Sequence, residues 1–88
     1  SRDLALVVRQ EIPAARVLEL IGESAGSLLE RVELFDLYRG QQLQEGEKSL
    51  AISLLFRHPE RTLQDEEVAE MVGQGLSRLE KEIGARLR

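Results

Sequence analysis

Apolar positions recur along this chain with two periods, and the switches between them mark six elements. Leu4-Ala5-Leu6-Val7-Val8 is a short apolar run that reads as a strand with Leu4, Leu6 and Val8 inward. Pro13 suits the first turn of a helix. Behind it Ala14, Val17, Leu18, Ile21 and Ala25 recur at three- and four-residue steps, the mark of one buried helical face, and Gly26 can cap the end. Residues 28–38, LLERVELFDLY, read as a second strand. Their alternation breaks where Leu34 and Phe35 stand side by side, so a β-bulge or a change of face is expected there.

Residues 40–47 are polar and flanked by Gly40 and Gly46, which reads as a hairpin loop that also holds Lys48. Ser49 to Arg57 gives the cleanest strand. Leu50, Ile52, Leu54 and Phe56 share a core face, while Ser49, Ala51, Ser53, Leu55 and Arg57 share the other. Asp65, Glu66 and Glu67 then place acid in a helix's first turn, where it complements the macrodipole. Val68, Met71, Val72, Leu76, Leu79 and Ile83 form the apolar stripe, with Met71 as core filler. Gly73 and Gly75 each weaken this helix by about 1 kcal/mol relative to Ala, and Gly75 is expected to allow a close helix–sheet contact. Gly84 is a good C-terminal cap, and Ala85-Arg86-Leu87-Arg88 alternates as a last, short edge strand.

The order β-α-β-β-α-β predicts an α+β fold of the ferredoxin-like split type. Two helices cover one face of a four-stranded antiparallel sheet in the spatial order 4-1-3-2, and the other face stays open. With no repeat, linker or low-complexity segment, residues 1–88 are expected to form a single domain.

Composition narrows the possible functions. A chain of 88 residues with 42% hydrophobic and 32% charged residues supports one thin core and a polar surface. It has no cysteine, so disulfides and thiolate metal sites are excluded, which is compatible with a reducing cytoplasm. The single His58 argues against a histidine zinc site and reads as a loop residue. No apolar run approaches the roughly 20 residues that cross a membrane, and Leu4 to Val8 is too short for a signal peptide. The missing initiator Met suggests a fragment of a larger chain.

The net charge of −4 counts against generic nucleic-acid binding, which needs clustered Lys and Arg. The acid is unevenly placed. Residues 11–27 and 62–82 sum to −2 and −4, and 28–46 to −2, whereas 1–10, 47–61 and 83–88 sum to +1, +1 and +2. The predicted helices carry most of the acid, so one face could accept RNA while the other repels it.

Three stretches carry a family resemblance. They are Arg2-Asp3-Leu4-Ala5-Leu6; Leu34-Phe35-Asp36-Leu37-Tyr38-Arg39-Gly40 with Gly46-Glu47-Lys48-Ser49-Leu50-Ala51 behind it; and Phe56-Arg57, Arg61-Thr62-Leu63 and Asp65-Glu66-Glu67-Val68. In order and spacing the chain resembles, nearly end to end, the C-terminal ferredoxin-fold anticodon-binding domain of the bacterial phenylalanyl-tRNA synthetase beta subunit. A related monomeric organellar enzyme carries a similar domain, but LFDLYRG with GEKSLA favours the bacterial type. Gln64 departs from the family's frequent Thr, which leaves Thr62 or Asp65 as the expected helix N-cap.

The resemblance implies a module that binds the anticodon loop of tRNA(Phe) and has no catalytic residue or cofactor of its own. It implies a cytoplasmic parent enzyme of α₂β₂ form that uses ATP and Mg²⁺, with catalysis on the alpha subunit. Its partners would then be tRNA(Phe), the alpha subunit and the rest of the beta subunit, with no membrane. It also implies that Asp36, Tyr38, Ser49 and Ala51 lie against the anticodon bases, with the aromatic ring stacking on one of them.

The residues themselves leave alternatives open. Tyr38 is a stacking platform for a splayed base or a tyrosine packed at a strand end with its hydroxyl wet. Asp36 accepts from base amino or imino groups, or is a solvated acid partnering Arg39. Ser49, Ala51 and Ser53 offer a low floor for a flat base, or an ordinary solvated strand face. Arg2, Arg39, Arg57, Arg86 and Arg88 are candidate phosphate or stacking contacts, or simply solvated. In the expected sheet Arg86 and Arg88 would lie near Arg2, while Arg61 would brace its loop or the acidic turn.

Two other classes compete: a ferredoxin-like small-molecule regulatory module, and a structural docking domain whose open face packs on its own chain, for which Leu55 leaves room. The turn Arg9-Gln10-Glu11-Ile12-Pro13 lacks the glycine the first would favour. No Ser-His-Asp set, phosphate-cradling glycine loop or ligand-spaced acid cluster is present, and Asp65, Glu66 and Glu67 read as helix-start acids.

Overall fold

A computed structural model describes residues 2–40 and 43–88, so Gln41 and Gln42 of the expected hairpin loop lie outside the described residues. The elements are β1 (Arg2–Arg9), α1 (Ala14–Ser24), β2 (Leu29–Tyr38), β3 (Glu47–Phe56), α2 (Asp65–Ile83) and β4 (Arg86–Leu87). The sheet order is β2-β3-β1-β4 with antiparallel neighbours, as the β-α-β-β-α-β succession predicts. This is the ferredoxin-like α+β arrangement.

The core lies between one sheet face and the two helices. Leu6, Val8, Leu50, Ile52 and Leu54 meet Val17, Leu20 and Ile21 of α1 and Leu79 of α2. Each buried side chain of this size contributes about 1.5–3 kcal/mol. Leu20 was outside the expected stripe. It follows Val17 by three residues and widens the same face.

The break at Leu34-Phe35 is a bulge. Leu34 pairs with Ile52 and Asp36 with Ala51, which leaves Phe35 without a partner. Two β2 residues thus oppose one step of β3. A regular strand would put Leu34 and Asp36 on one face. The bulge lets Leu34 point to the helices while Asp36 and Tyr38 point away.

The start of α2 differs from expectation. The N-cap position is Gln64, not Thr62 or Asp65. Glu67 does the capping: its Oε1 accepts from the Gln64 N–H at 3.1 Å. Arg61 donates to both Glu67 oxygens at 2.8 and 2.6 Å, so Arg61 braces the helix start. At the other end Gly84 takes φ 68° and donates its N–H to the Glu80 carbonyl at 3.0 Å, which turns the chain into β4.

Two further expectations are corrected. Gly75 faces α1 rather than the sheet, since a Cβ there would stand 3.6 Å from the Ala25 Cβ. Lys48 is not a loop residue. β3 begins at Glu47, so Lys48 falls in phase with Leu50, pairs with Val8 and is 5% exposed on the helix side.

Candidate nucleic-acid interface

No helix covers the second sheet face, and register places its side chains in rows. Asp3, Ser53 and Glu33 form one row; Ala5, Ala51 and Asp36 the next; Val7, Ser49 and Tyr38 the third. β4 sets Arg86 beside Val7, and the Arg88 N–H donates to the Ala5 carbonyl at 2.9 Å.

The second and third rows enclose a shallow hollow lined by Ala5, Asp36, Tyr38, Ser49, Ala51 and Arg88. Its floor is made of small side chains. Its walls are the Tyr38 ring and the Arg88 guanidinium, whose carbon lies 4.6 Å from the ring centre, within cation–π range. Ser49 is only 3% exposed and Val7 only 2%, although both point away from the helices. The long side chains of the neighbouring residues overhang them. Asp36 Oδ1 accepts from the Leu37 N–H at 2.9 Å, which fixes the carboxylate and leaves Oδ2 to accept from elsewhere.

The remaining sequence candidates scatter. Arg86 lies next to the hollow, but its Nη1 and Nη2 donate to the two Glu47 carboxylate oxygens, at 2.6 and 3.1 Å. That hydrogen-bonded pair holds the Glu47 carboxyl below the usual carboxylate range and raises the Arg86 pKa. Ser53 sits one row away, between Asp3 and Glu33. Arg39 is exposed one residue past β2 and does not line the hollow. Arg57 follows β3 at the far end of the sheet and pairs with Glu30 at 3.4 Å.

Arg2 is on the wrong face. It shares phase with Leu4, Leu6 and Val8, and its guanidinium reaches Asp65 at the start of α2, 3.6 Å away. It therefore does not join Arg86 and Arg88. Ala5 was missed as a floor residue, although the alternation that sends Leu4, Leu6 and Val8 inward already sends it outward.

The open face is close to neutral rather than basic. Across its rows Arg9, Arg31, Arg86 and Arg88 balance Asp3, Glu33, Asp36 and Glu47, and Arg57 at its far end pairs with Glu30, so the chain's net −4 resides mainly elsewhere. A neutral face cannot hold RNA by bulk charge; shape, stacking and edge contacts must dominate. Between sheet and helices, an apolar void of about 10 Å³ beside Leu4, Ile21, Leu54 and Leu79 has barely the room of one water molecule. Among the described residues no three His, Cys, Asp or Glu side chains are grouped to hold a metal ion. Among the described residues no helix is long and apolar enough to cross a membrane.

A family model described as the ferredoxin-fold anticodon binding domain matches residues 1–88. The chain belongs to this family. It is 48% identical over 88 residues to a phenylalanine–tRNA ligase beta subunit of Bacillus cereus, covering 100% of this chain and 11% of that protein. The same-named subunit of Corynebacterium efficiens is 53% identical over 88 residues, covering 99% and 10%. That of Shouchella clausii is 47% identical over 89 residues, covering 100% and 11%. The chain thus spans about a tenth of the length of these curated relatives.

Proposed function

We propose that residues 1–88 form one anticodon-binding module that reads the anticodon loop of tRNA(Phe) through the hollow on the open sheet face. The observation that carries this reading is the meeting of Tyr38, Asp36, Ser49, Ala51 and Arg88 in one hollow on an uncovered sheet, in a chain of an anticodon-binding family. A base entering the hollow stacks on the Tyr38 ring by displacing the Arg88 guanidinium that lies over it in the free protein. Ser49 and Ala51 are small enough for a flat base to approach, and Asp36 Oδ2 accepts from its amino or imino groups. A carboxylate repels phosphate, so Asp36 favours a base edge over the RNA backbone.

The likeness to phenylalanine–tRNA ligase beta subunits supports placing the module in a cytoplasmic α₂β₂ enzyme. The ATP- and Mg²⁺-dependent chemistry then lies outside this chain. A small-molecule regulatory role is not supported by an interior void that barely holds one water.

The test is titration of the protein with an RNA hairpin carrying the phenylalanine anticodon loop, beside a hairpin with a changed anticodon. Binding is expected to be micromolar or weaker and anticodon-dependent. One base stack is worth about 1–3 kcal/mol, so Tyr38→Ala should weaken it by about fivefold or more without unfolding the protein. Equal affinity for both hairpins, or a folded Tyr38→Ala variant that binds unchanged, would overturn the reading.

A further inference from the structure

We propose that Gly40 is a positioning residue for the Tyr38 ring, an inference that rests on the stacking role given to Tyr38. Gly26, Gly46 and Gly84 take positive φ, whereas Gly40 is not among them. What requires glycine at this position is the ring two residues earlier. A Cβ on Gly40 would collide with the Tyr38 hydroxyl oxygen and Cζ and would stand 2.7 Å from Cε2. By contrast, Gly22 and Gly73 have nothing within 4 Å of a built Cβ.

The chain leaving β2 therefore packs directly against the hydroxyl end of the ring. Pairing with Ser49 fixes the Tyr38 backbone, Arg88 lies over the ring, and Gly40 backs its far end. Together these set the tilt of the ring beside the Ser49–Ala51 floor. Any side chain at position 40 must push the ring away or move the turn. Either change spoils stacking, whose strength depends on parallel ring faces at close range.

Tyr38 is the sole tyrosine and there is no tryptophan, so intrinsic emission and near-ultraviolet circular dichroism report the ring with little interference. In the unsubstituted protein, proton cross-relaxation between the Tyr38 ring and the Gly40 Hα is expected. Its absence would overturn the proposal without need of a variant. Gly40→Ala should change the tyrosine signal and weaken binding of the anticodon hairpin by at least about threefold, up to the loss seen with Tyr38→Ala. Gly73→Ala serves as the control and should leave the tyrosine signal unchanged.

In the Tyr38→Ala background, Gly40→Ala should add no further loss, since both act through the ring. An additional loss there would show that Gly40 acts by another route. If Tyr38→Ala weakens binding and Gly40→Ala does not, the positioning role fails while the stacking reading stands. If Tyr38→Ala binds unchanged, both fail together.

Discussion

The Arg88 guanidinium reaches the Tyr38 ring across two intervening strands. Arg88 follows β4 at one edge of the sheet and Tyr38 ends β2 at the other, yet guanidinium carbon and ring centre are 4.6 Å apart. At about 4.8 Å per strand, the two side chains together span about 14 Å. They close over small residues, which explains why Ser49 and Val7 are buried on a face that no helix covers.

This arch yields a first expectation. Arg88→Ala should expose Ser49 and shift the emission of Tyr38. Binding of the anticodon hairpin should weaken several-fold, and the salt dependence of log K should lose about one unit if Arg88 also meets phosphate. The check is a set of titrations at several ionic strengths. An unchanged slope with a weakened affinity would assign Arg88 to stacking alone.

A second expectation concerns acid. Hydrogen bonds from Arg61, and then from the Gln64 N–H, hold the Glu67 carboxyl at about 2, well below its ordinary 4.5. A depressed folded-state value stabilises the fold above the ordinary value, and the contribution is lost as pH falls from about 4.5 toward about 2. Glu67→Gln should lower the thermal midpoint at pH 7 and flatten the midpoint's decline over that window. Midpoints measured from pH 7 to pH 2 for both proteins decide it, and parallel curves would refute the assignment.

Third, two glycines of one helix should respond in opposite directions. Gly73 lies inside α2 with open space around it, so Gly73→Ala should stabilise by about 0.5–1 kcal/mol. Gly84 takes φ 68°, so Gly84→Ala should cost about 1 kcal/mol although a Cβ there touches nothing. For a chain of this size each should move the thermal midpoint by about 4–8 °C per kcal/mol. Shifts of the same sign in both variants would contradict the argument.

Much of this molecule could be read from its residue pattern because strands alternate and helices do not. The element order and the bulge at Leu34-Phe35 follow from periodicity, and the sheet order from the β-α-β-β-α-β succession, whereas the grouping of Tyr38 with Ser49 and Ala51 was implied by the family resemblance. Errors arose where composition displaced phase. The adjacency of β1 and β4 puts Arg2 near Arg86 and Arg88 only if phase is ignored, and its phase with Leu4 puts it on the helix side instead. Lys48 was assigned to the loop by its polarity, although its phase with Leu50 puts it in β3. Gly75 offered no local sign of its neighbour, because helix–helix contact depends on how α1 and α2 cross. The reach of Arg88 to Tyr38 was hidden for the same reason, since it depends on two strands that sequence order does not make adjacent.

The unpaired Phe35 also bears on how this strand tolerates changes in length. β2 contains one more residue than its partner needs between Leu34 and Asp36. Deleting Phe35 would remove the irregularity at this point of the ladder, leaving the one between Leu29 and Arg31, and keep Leu34 inward and Asp36 and Tyr38 outward. In a strand without such slack, a one-residue deletion reverses every side chain beyond it. This segment can therefore lose a residue without turning its outward side chains inward, so a one-residue deletion is better absorbed here than in β1 or β3.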